Sequence, residues 1–590
     1  MSIFRKTVRK PIGFSTFPLG RTTLVGANFG ELVPVFVQEV LPNDKFKVVG
    51  NANIEFAPMI APMMHNVKAS FHYFYVPDRL LFKDFETAFT GSRDGRSLPE
   101  DEVPEMPGFI PQTPFPEAEN VTKVADRMVA SSLFDYLEYP VSEDDQPDEK
   151  LSTSSLWMSD LPLRAYFKIW YDWYRDENLQ YKNWDNDDFA DYYEAWETWF
   201  DNSLSYFDAI NYCLPNLNVR HRSYKKDYFT AALPSPQKGE PVVLSLGDKA
   251  PVGVPSNNQN RLIGNFSLGQ PYMMSSLSGE NLNALWVPFS EFQTTKMELA
   301  SSNVNGSFIE TVNALTGQGR FDIPANTLYA DLSQATQVTI NELRTAFAVQ
   351  RILEAINLGG SRYNEYLLGQ YGTAPTDLRL NRPQFLGGWH TQVAVQKVLQ
   401  NDLPYEEGSQ FNQVGYAAGR SFAAGTSHIF NQEFKEPGYI IGLMSIMPQA
   451  AYSQGLPRHL SRKTRWDYYN PNLAYLGEQA ILNKELYISG DDSVDNATFG
   501  FMQRFAEYRT AYNTIHGDFR GSLDYYHMYR KFTDTPVLSE DFILTNSVDA
   551  RPFAFWQANS NVNQLIWAEI NHGVMASRPM PYNPMPELRG

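Results

Sequence analysis

Residues 66–82 read NVKASFHYFYVPDRLLF. Val67, Ala69, Phe71, Tyr73 and Tyr75 share one side of an extended chain, and Lys68, Ser70, His72 and Phe74 share the other. A period of two is the mark of a β-strand, here with one face buried and one wetter. Pro77 has no N–H for a ladder and ends the strand. Arg79, Leu80 and Leu81 then turn the chain back over the sheet. One strand cannot bury an aromatic face alone, so a second sheet must cover it.

More strands follow from the same reasoning. Residues 32–40 (LVPVFVQEV) form a strand, residues 41–44 (LPND) a turn, and residues 45–49 continue after it. Residues 242–246 and 391–399 are strands, and residues 439–447 (YIIGLMSIM) are apolar almost throughout, as in mid-sheet. Short β-like pieces such as LWVP (285–288) and late strand-like material at 551–570 complete the set. The 38 prolines and 37 glycines are spread through all 590 residues, which suits a turn-rich β protein and not a helical bundle. A hydrophobic content of 43%, with 33 Tyr and 39 Phe, is enough for a large aromatic core. Two helices stand out. Residues 159–175 carry the stripe Leu163, Tyr166, Phe167, Trp170 and Tyr174, with Ser159 or Asp160 to cap it and Pro162 in its first turn. Residues 339–358 open on a Thr339–Glu342 capping box and stop at Gly359-Gly360.

The net charge is −18, which argues against a general nucleic-acid binder. The charge is uneven. Arg5, Lys6, Arg9, Lys10 and Arg21 lie in residues 1–30 without an acid, whereas residues 99–150 and 176–208 are strongly acidic. Residues 1–30 read as a basic arm, either solvated or touching phosphates or a neighbouring subunit. Residues 97–150 read as a long surface loop with a little helix. No apolar run reaches membrane-spanning length, and MSIFRKTVRKPIGF has no apolar stretch behind its charges, so no secretory leader is expected. The lone Cys213 excludes an intramolecular disulfide and reads as a buried thiol.

Catalytic patterns are absent: no G-x-S-x-G, P-loop, HExxH or CxxC, and the nine histidines are scattered singly. No cofactor or metal site is expected. Trp184, Trp196 and Trp199 lie among Asp187, Asp188, Asp191 and Glu194, which sustains one alternative: a secreted β-sandwich glycan-binding protein or glycosidase. The densest internal basic cluster is Arg458, His459, Arg462, Lys463 and Arg465, with Trp466 beside it. Two readings stand: phosphate contact plus base stacking on single-stranded nucleic acid, or a salt-bridge patch between subunits.

Several stretches, in order, carry a family likeness: EVLPND (39–44), the 66–82 stretch, SDLPLRAYFKIWYDWYRDENL (159–179) and KKDYFTAALPSPQKG (225–239). LEAINLGGSRYNEYLLGQYG (353–372), RLNRPQFLGG (379–388), LPRHLSRKTRWDYYNPNLAYLGEQAI (456–481) and RPFAFW (551–556) follow. The chain resembles the major capsid proteins of the Microviridae, the gokushovirus group in particular. Asn43 stands where that family usually has glycine. The resemblance implies a mainly β fold, an eight-stranded viral jelly roll of two packed antiparallel sheets, with long, partly helical insertions between strands and no catalysis. The expected organisation is a basic arm (1–30), one jelly-roll domain (31–576), an acidic loop-and-helix insertion (97–240), an insertion at 248–333 forming a surface protrusion at the three-folds, and a proline-rich C-terminal arm (577–590). It implies a virion shell of about sixty copies, built in the host cytoplasm. The implied partners are the single-stranded DNA genome, a small basic DNA-binding protein, an internal scaffolding protein, a pilot protein and a host surface receptor. The DNA-contact candidates are Arg5, Lys6, Arg9, Lys10, Arg458, Arg462, Lys463 and Arg465.

Overall fold

The computed structural model describes residues 13–180 (except 83, 94, 95, 100, 101, 113, 119, 120 and 144–147), 218–239, short strand pairs between 252 and 330, and 340–359, 382–399, 417–545, 551–554 and 564–582. Contacts divide the chain into two compact units, Met1–Lys238 with Glu354–Gly590, and Gly239–Leu353.

The first unit is built on nine antiparallel strands. They are β1 (Ser15–Pro18), β2 (Arg21–Ala27), β3 (Val33–Val40), β4 (Lys45–Phe56), β5 (Val67–Pro77), β6 (Gln384–Leu399), β7 (Ala417–Glu433), β8 (Gly438–Pro448) and β9 (Ile566–Arg578). The hydrogen-bonded order is β1-β9-β4-β7-β6-β5-β8-β3, with β2 also on β9. The mainly β jelly-roll expectation holds. Ser15–Pro18 and Arg21–Ala27, within the residues read as an arm, lie end to end in one register along the same edge of β9, so the described segments fill eight positions in the ladder.

One continuous ladder becomes two layers because β6 and β7 part company. Ala394–Leu399 of β6 pair with Ala417–Phe422 of β7. Beyond that junction β6 follows β5 through Gln384–Val393, and β7 follows β4 through Ala423–Glu433. The two halves then face each other across one aromatic core. The Tyr73 hydroxyl on β5 meets His572 Nε2 on β9 at 2.9 Å. The Phe36 ring on β3 lies 4.7 Å from the His572 ring. Phe434 packs on Tyr75 from one layer at 4.6 Å and on Phe46 from the other at 6.0 Å.

The β4 strand alternates strictly, with Phe46, Val48, Ala52, Ile54 and Phe56 inward and Lys45, Lys47 and Asn51 outward. The β5 strand does not. Its second face, expected to be wetter, is covered apart from Lys68: Ser70 and Phe74 are buried. Phe74 packs on Trp173, Tyr174 and Phe385 at 5.3–6.0 Å, and His72 Nδ1 meets the Tyr174 hydroxyl at 2.7 Å. The cover is α1 (Leu161–Ile169), which runs on as a π-helical turn, Trp170–Tyr174. Leu163, Tyr166, Phe167 and Trp170 are buried there, so the aromatic stripe is packing. Asp160 precedes the helix but makes no cap with its side chain; it holds Arg164 instead, at 2.9 Å, both buried. Phe109, Val124, Met128, Leu133 and Phe134 join this second core. Part of the stretch read as a surface loop therefore builds the interior.

The turn after β3 is fixed by Asn43 in the left-handed region, φ 70. Asparagine is among the few residues that take that conformation readily, so it serves where glycine is usual. Asp44 Oδ2 accepts from the Leu41 amide at 2.9 Å and closes the turn. Strand β6 begins earlier than residue 391 because Gly388 lets the backbone pass against β5; a Cβ there would sit 2.4 Å from the Phe71 carbonyl oxygen.

In the second unit three strand pairs nest. Val252–Gly253 pairs with Tyr329–Ala330, Asn265–Phe266 with Gly319–Arg320, and Tyr272–Ser276 with Asn283–Val287. The chain thus runs out and returns along itself. Helix α2 spans Ile340–Gly359; Thr339, its expected cap, lies outside the described residues.

Candidate nucleic-acid interface

The basic cluster sits on a series of short turns. Pro457 leads into a 3-10 turn, Arg458–Leu460. Thr464 and Asp467 form a capping box around Arg465–Asp467. The Lys463 and Thr464 amides donate to Asp467 Oδ2 at 2.9 and 2.7 Å, and these bonds hold its carboxyl below the usual range. Asn470 caps Pro471–Leu473, and the chain then enters the strand Glu478–Leu482, which pairs with Thr498–Gln503. A third core beneath them gathers Tyr228, Phe229, Tyr452, Ile481, Phe499 and Phe542.

The structure divides the four candidates of this cluster. Arg458 is tied into the protein: Nη1 donates to the Ala480 carbonyl at 2.8 Å and to Glu485 Oε1 at 3.1 Å. Glu485 is buried, and its other oxygen accepts from the Tyr228 hydroxyl at 3.0 Å. Burial pushes the Glu485 carboxyl up, while Arg458, the Leu482 amide and Tyr228 hold it back. Arg462 pairs with Glu507 at 3.3 Å and lies over the Tyr508 and Tyr468 rings at 4.5 and 5.4 Å. Lys463 and Arg465 are exposed, with the Arg465 guanidinium 4.4 Å from the Trp466 ring centre. Among the described residues the cluster's salt bridges therefore run within the subunit for Arg458 and Arg462, and Lys463 and Arg465 form none.

This division has a measurable consequence. Arg458→Ala leaves Glu485 buried without its guanidinium and is expected to cost about 3 kcal/mol. Lys463→Ala and Arg465→Ala are expected to stay within about 0.5 kcal/mol. Urea unfolding of the full chain checks both; equal effects for all three would contradict the division.

Arg5, Lys6, Arg9 and Lys10 lie outside the described residues, as do Cys213, Trp184, Trp196, Trp199 and the neighbouring acids of the glycan alternative. Arg21 belongs to the fold. It pairs with Glu138 at 2.9 Å, donates to the Val37 carbonyl and covers the Phe36 ring. Among the described residues, no group of three His, Cys, Asp or Glu is placed to hold a metal ion. No helix among them is long and apolar enough to cross a membrane.

Of the exposed rings around the cluster, sequence reasoning found Trp466 and missed the three tyrosines. Trp466, Tyr468, Tyr469 and Tyr508 are each more than half exposed. Their signal was visible as WDYY beside the cations, but Tyr508 is brought in from forty residues away by a hydrogen bond, Tyr469 N to Tyr508 Oη at 3.4 Å.

A family model described as "Capsid protein (F protein)" matches residues 10–588. The chain is similar to "Capsid protein VP1" of Chlamydia phage 1, 31% identical, with 95% of this chain and 93% of that protein covered. It is similar to the protein of the same name in Bdellovibrio phage phiMH2K, 31% identical, covering 88% and 85%. The Spiroplasma virus 4 "Capsid protein VP1" is 28% identical, covering 96% and 94%.

Proposed function

The chain belongs to the phage capsid family described as "Capsid protein (F protein)", and from that membership we propose how it builds and fills its shell. It is a major capsid protein of a small single-stranded DNA phage of the Microviridae and a component of the virion. Its copies assemble with one another. The observation that carries this is the extent of the match, which takes in the whole nine-stranded sandwich and the segments threaded between its strands.

The finer reading is this. The sandwich is the wall of a closed shell of about sixty copies, the smallest icosahedral number, assembled in the host cytoplasm. The protein acts by fit and without catalysis. Residues 248–333 form a protrusion at the three-folds; the nested strand pairs of that unit support an excursion folded on itself. The tail 577–590 begins with the last two residues of β9, Ser577 and Arg578, and lies on a neighbour beyond them. A scaffolding protein, a pilot protein, a small basic DNA-binding protein and a host receptor complete the set of partners, and the shell's outer surface carries host attachment.

The genome is met by two basic features. One is the arm with Arg5, Lys6, Arg9 and Lys10. The other is the 458–465 segment, of which Lys463 and Arg465 supply the free charge and Arg458 and Arg462 the support. Neutralising phosphates gives an attraction independent of sequence and weakened by salt. Reversing the charge at Arg5, Lys6, Arg9 and Lys10 is expected to yield particles that sediment as closed shells but carry little DNA. Gradient sedimentation with nucleic-acid quantification reads both. Full DNA content in the mutant particles would overturn the arm's role, and a chain that never sediments as a particle would overturn the assembly reading.

A further inference from the structure

We propose that Tyr468, Tyr469 and Tyr508, with Trp466 beside them in sequence, form a stacking platform for the bases of single-stranded DNA. This rests on the reading that the 458–465 segment meets the genome, and it names the rings beyond Trp466 that would stack the bases beside the cations for phosphates.

The rings are exposed yet held. Tyr468, Tyr469 and Tyr508 are 56%, 55% and 51% exposed, and Trp466 is 54%. The Tyr469 ring packs edge-on to Phe505 at 5.2 Å and to Tyr508 at 6.1 Å. Phe505 is buried and sits in the left-handed region, φ 60. A non-glycine residue in that conformation costs energy and persists only where surrounding contacts fix it. Arg462 is the clamp. Its guanidinium lies over both the Tyr508 and Tyr468 rings, fixed by Glu507, which in turn accepts from Gln479 Nε2 at 2.8 Å. Rings immobilised before the ligand arrives lose little entropy on binding.

Charge selects the occupant. The whole chain carries −18, yet Lys463, Arg465, Arg504 and Arg509, which flank these rings in sequence, have no ion pair among the described residues. A second copy of an acidic chain is a poorer match than a polyanion. Single-stranded DNA offers phosphates and unstacked bases together, whereas a duplex hides its base faces. Arg458 and Arg462 are positioning residues here, and the contacts are the rings and the free cations.

The test is fluorescence anisotropy of the full-length unassembled chain with two labelled probes of equal length, an oligothymidylate and an abasic deoxyribose-phosphate strand. Trp466→Ala and Tyr468→Ala are each expected to weaken oligothymidylate binding about tenfold, to leave the abasic strand unaffected, and to be rescued by phenylalanine. Lys463→Ala with Arg465→Ala is expected to weaken both probes and flatten the salt dependence. Thermal midpoints matching wild type show that each variant is folded. If the cation variant acts and the ring variants do not, the platform is wrong and the genome contact stands. If neither set affects either probe, the genome contact at this segment falls with it. If the ring variants keep full DNA affinity but form fewer particles, the rings are a contact between copies and the proposal is overturned.

Discussion

Tyr73→Ala is expected to abolish particle formation. The ring is fully buried at the meeting of the two layers, among Phe36, Phe430 and His572. Removing a buried aromatic ring costs about 3–5 kcal/mol, and His572 also loses the hydroxyl that meets its Nε2. A domain with a margin of about 5–15 kcal/mol has little left after such a loss. The milder Tyr73→Phe keeps the ring and removes only the hydroxyl, an expected cost of about 1–2 kcal/mol, so shells should form and melt lower. Gly442 on β8 shows how closely the ring is fitted, since a Cβ there would sit 2.6 Å from Tyr73 Cε1. Particle yield on a gradient and urea unfolding of the recovered chain check the series. Wild-type yield and stability for Tyr73→Ala would show that the inter-layer core does not hold the tile together.

The second large effect is a response to acid. Burial, then the charge of His527, lowers His65 to about 3. Burial, then Arg222, Lys68 and His390, lowers His72 to about 4. Burial, then Arg21, lowers His572 to about 4. All three are neutral in the fold and take a proton near 6.5 when unfolded. Their stabilisation is therefore present above about pH 6.5 and is lost as pH falls toward 4, about 3 kcal/mol for each. Two carboxyls act the other way. Burial and Glu39 raise Asp78 to about 7, and burial and Glu354 raise Glu478 to about 7. Their stabilisation is full below the ordinary carboxyl pKa and is lost as pH rises through 7, so the net fall in acid is smaller than the histidines alone would give. A single-site comparison separates the two. His65 is buried, with its ring 4.5 Å from Tyr529 and neither ring nitrogen hydrogen-bonded among the described residues. His65→Phe keeps a ring in that place and cannot take a proton. Relative to wild type it is expected to be more stable by about 3 kcal/mol at pH 4 and little changed at pH 8. The same difference at both pH values would contradict the assignment.

What could be read from sequence follows physical lines. The β5 and β8 strands were legible because their apolar residues alternate or run unbroken between prolines. The helical stripe at 163–174 was legible because its spacing is that of one helix face. The β7 strand was not, since AAGRSFAAG has neither bulk nor alternation. Its place comes from pairing with β6 on one end and β4 on the other. The start of β6 was hidden by Gly387-Gly388, which add no side chain to an alternation and serve as close approach. The β1 and β2 strands were hidden by their short length and basic flanks. Sequence singled out the 458–465 cluster but not its division, because Glu485 and Glu507, which claim Arg458 and Arg462, are distant in the chain. The exposed rings needed both the turns that carry Tyr468 and Tyr469 and the second segment that brings Tyr508.

Electron cryo-microscopy of particles from the expressed chain tests the central claim most directly. The expected result is a closed icosahedral shell whose continuous wall is the β1–β9 sandwich, with residues 248–333 projecting from it. Discrete monomers, or a shell in which the sandwich stands away from the wall and other segments make the contacts, would contradict it.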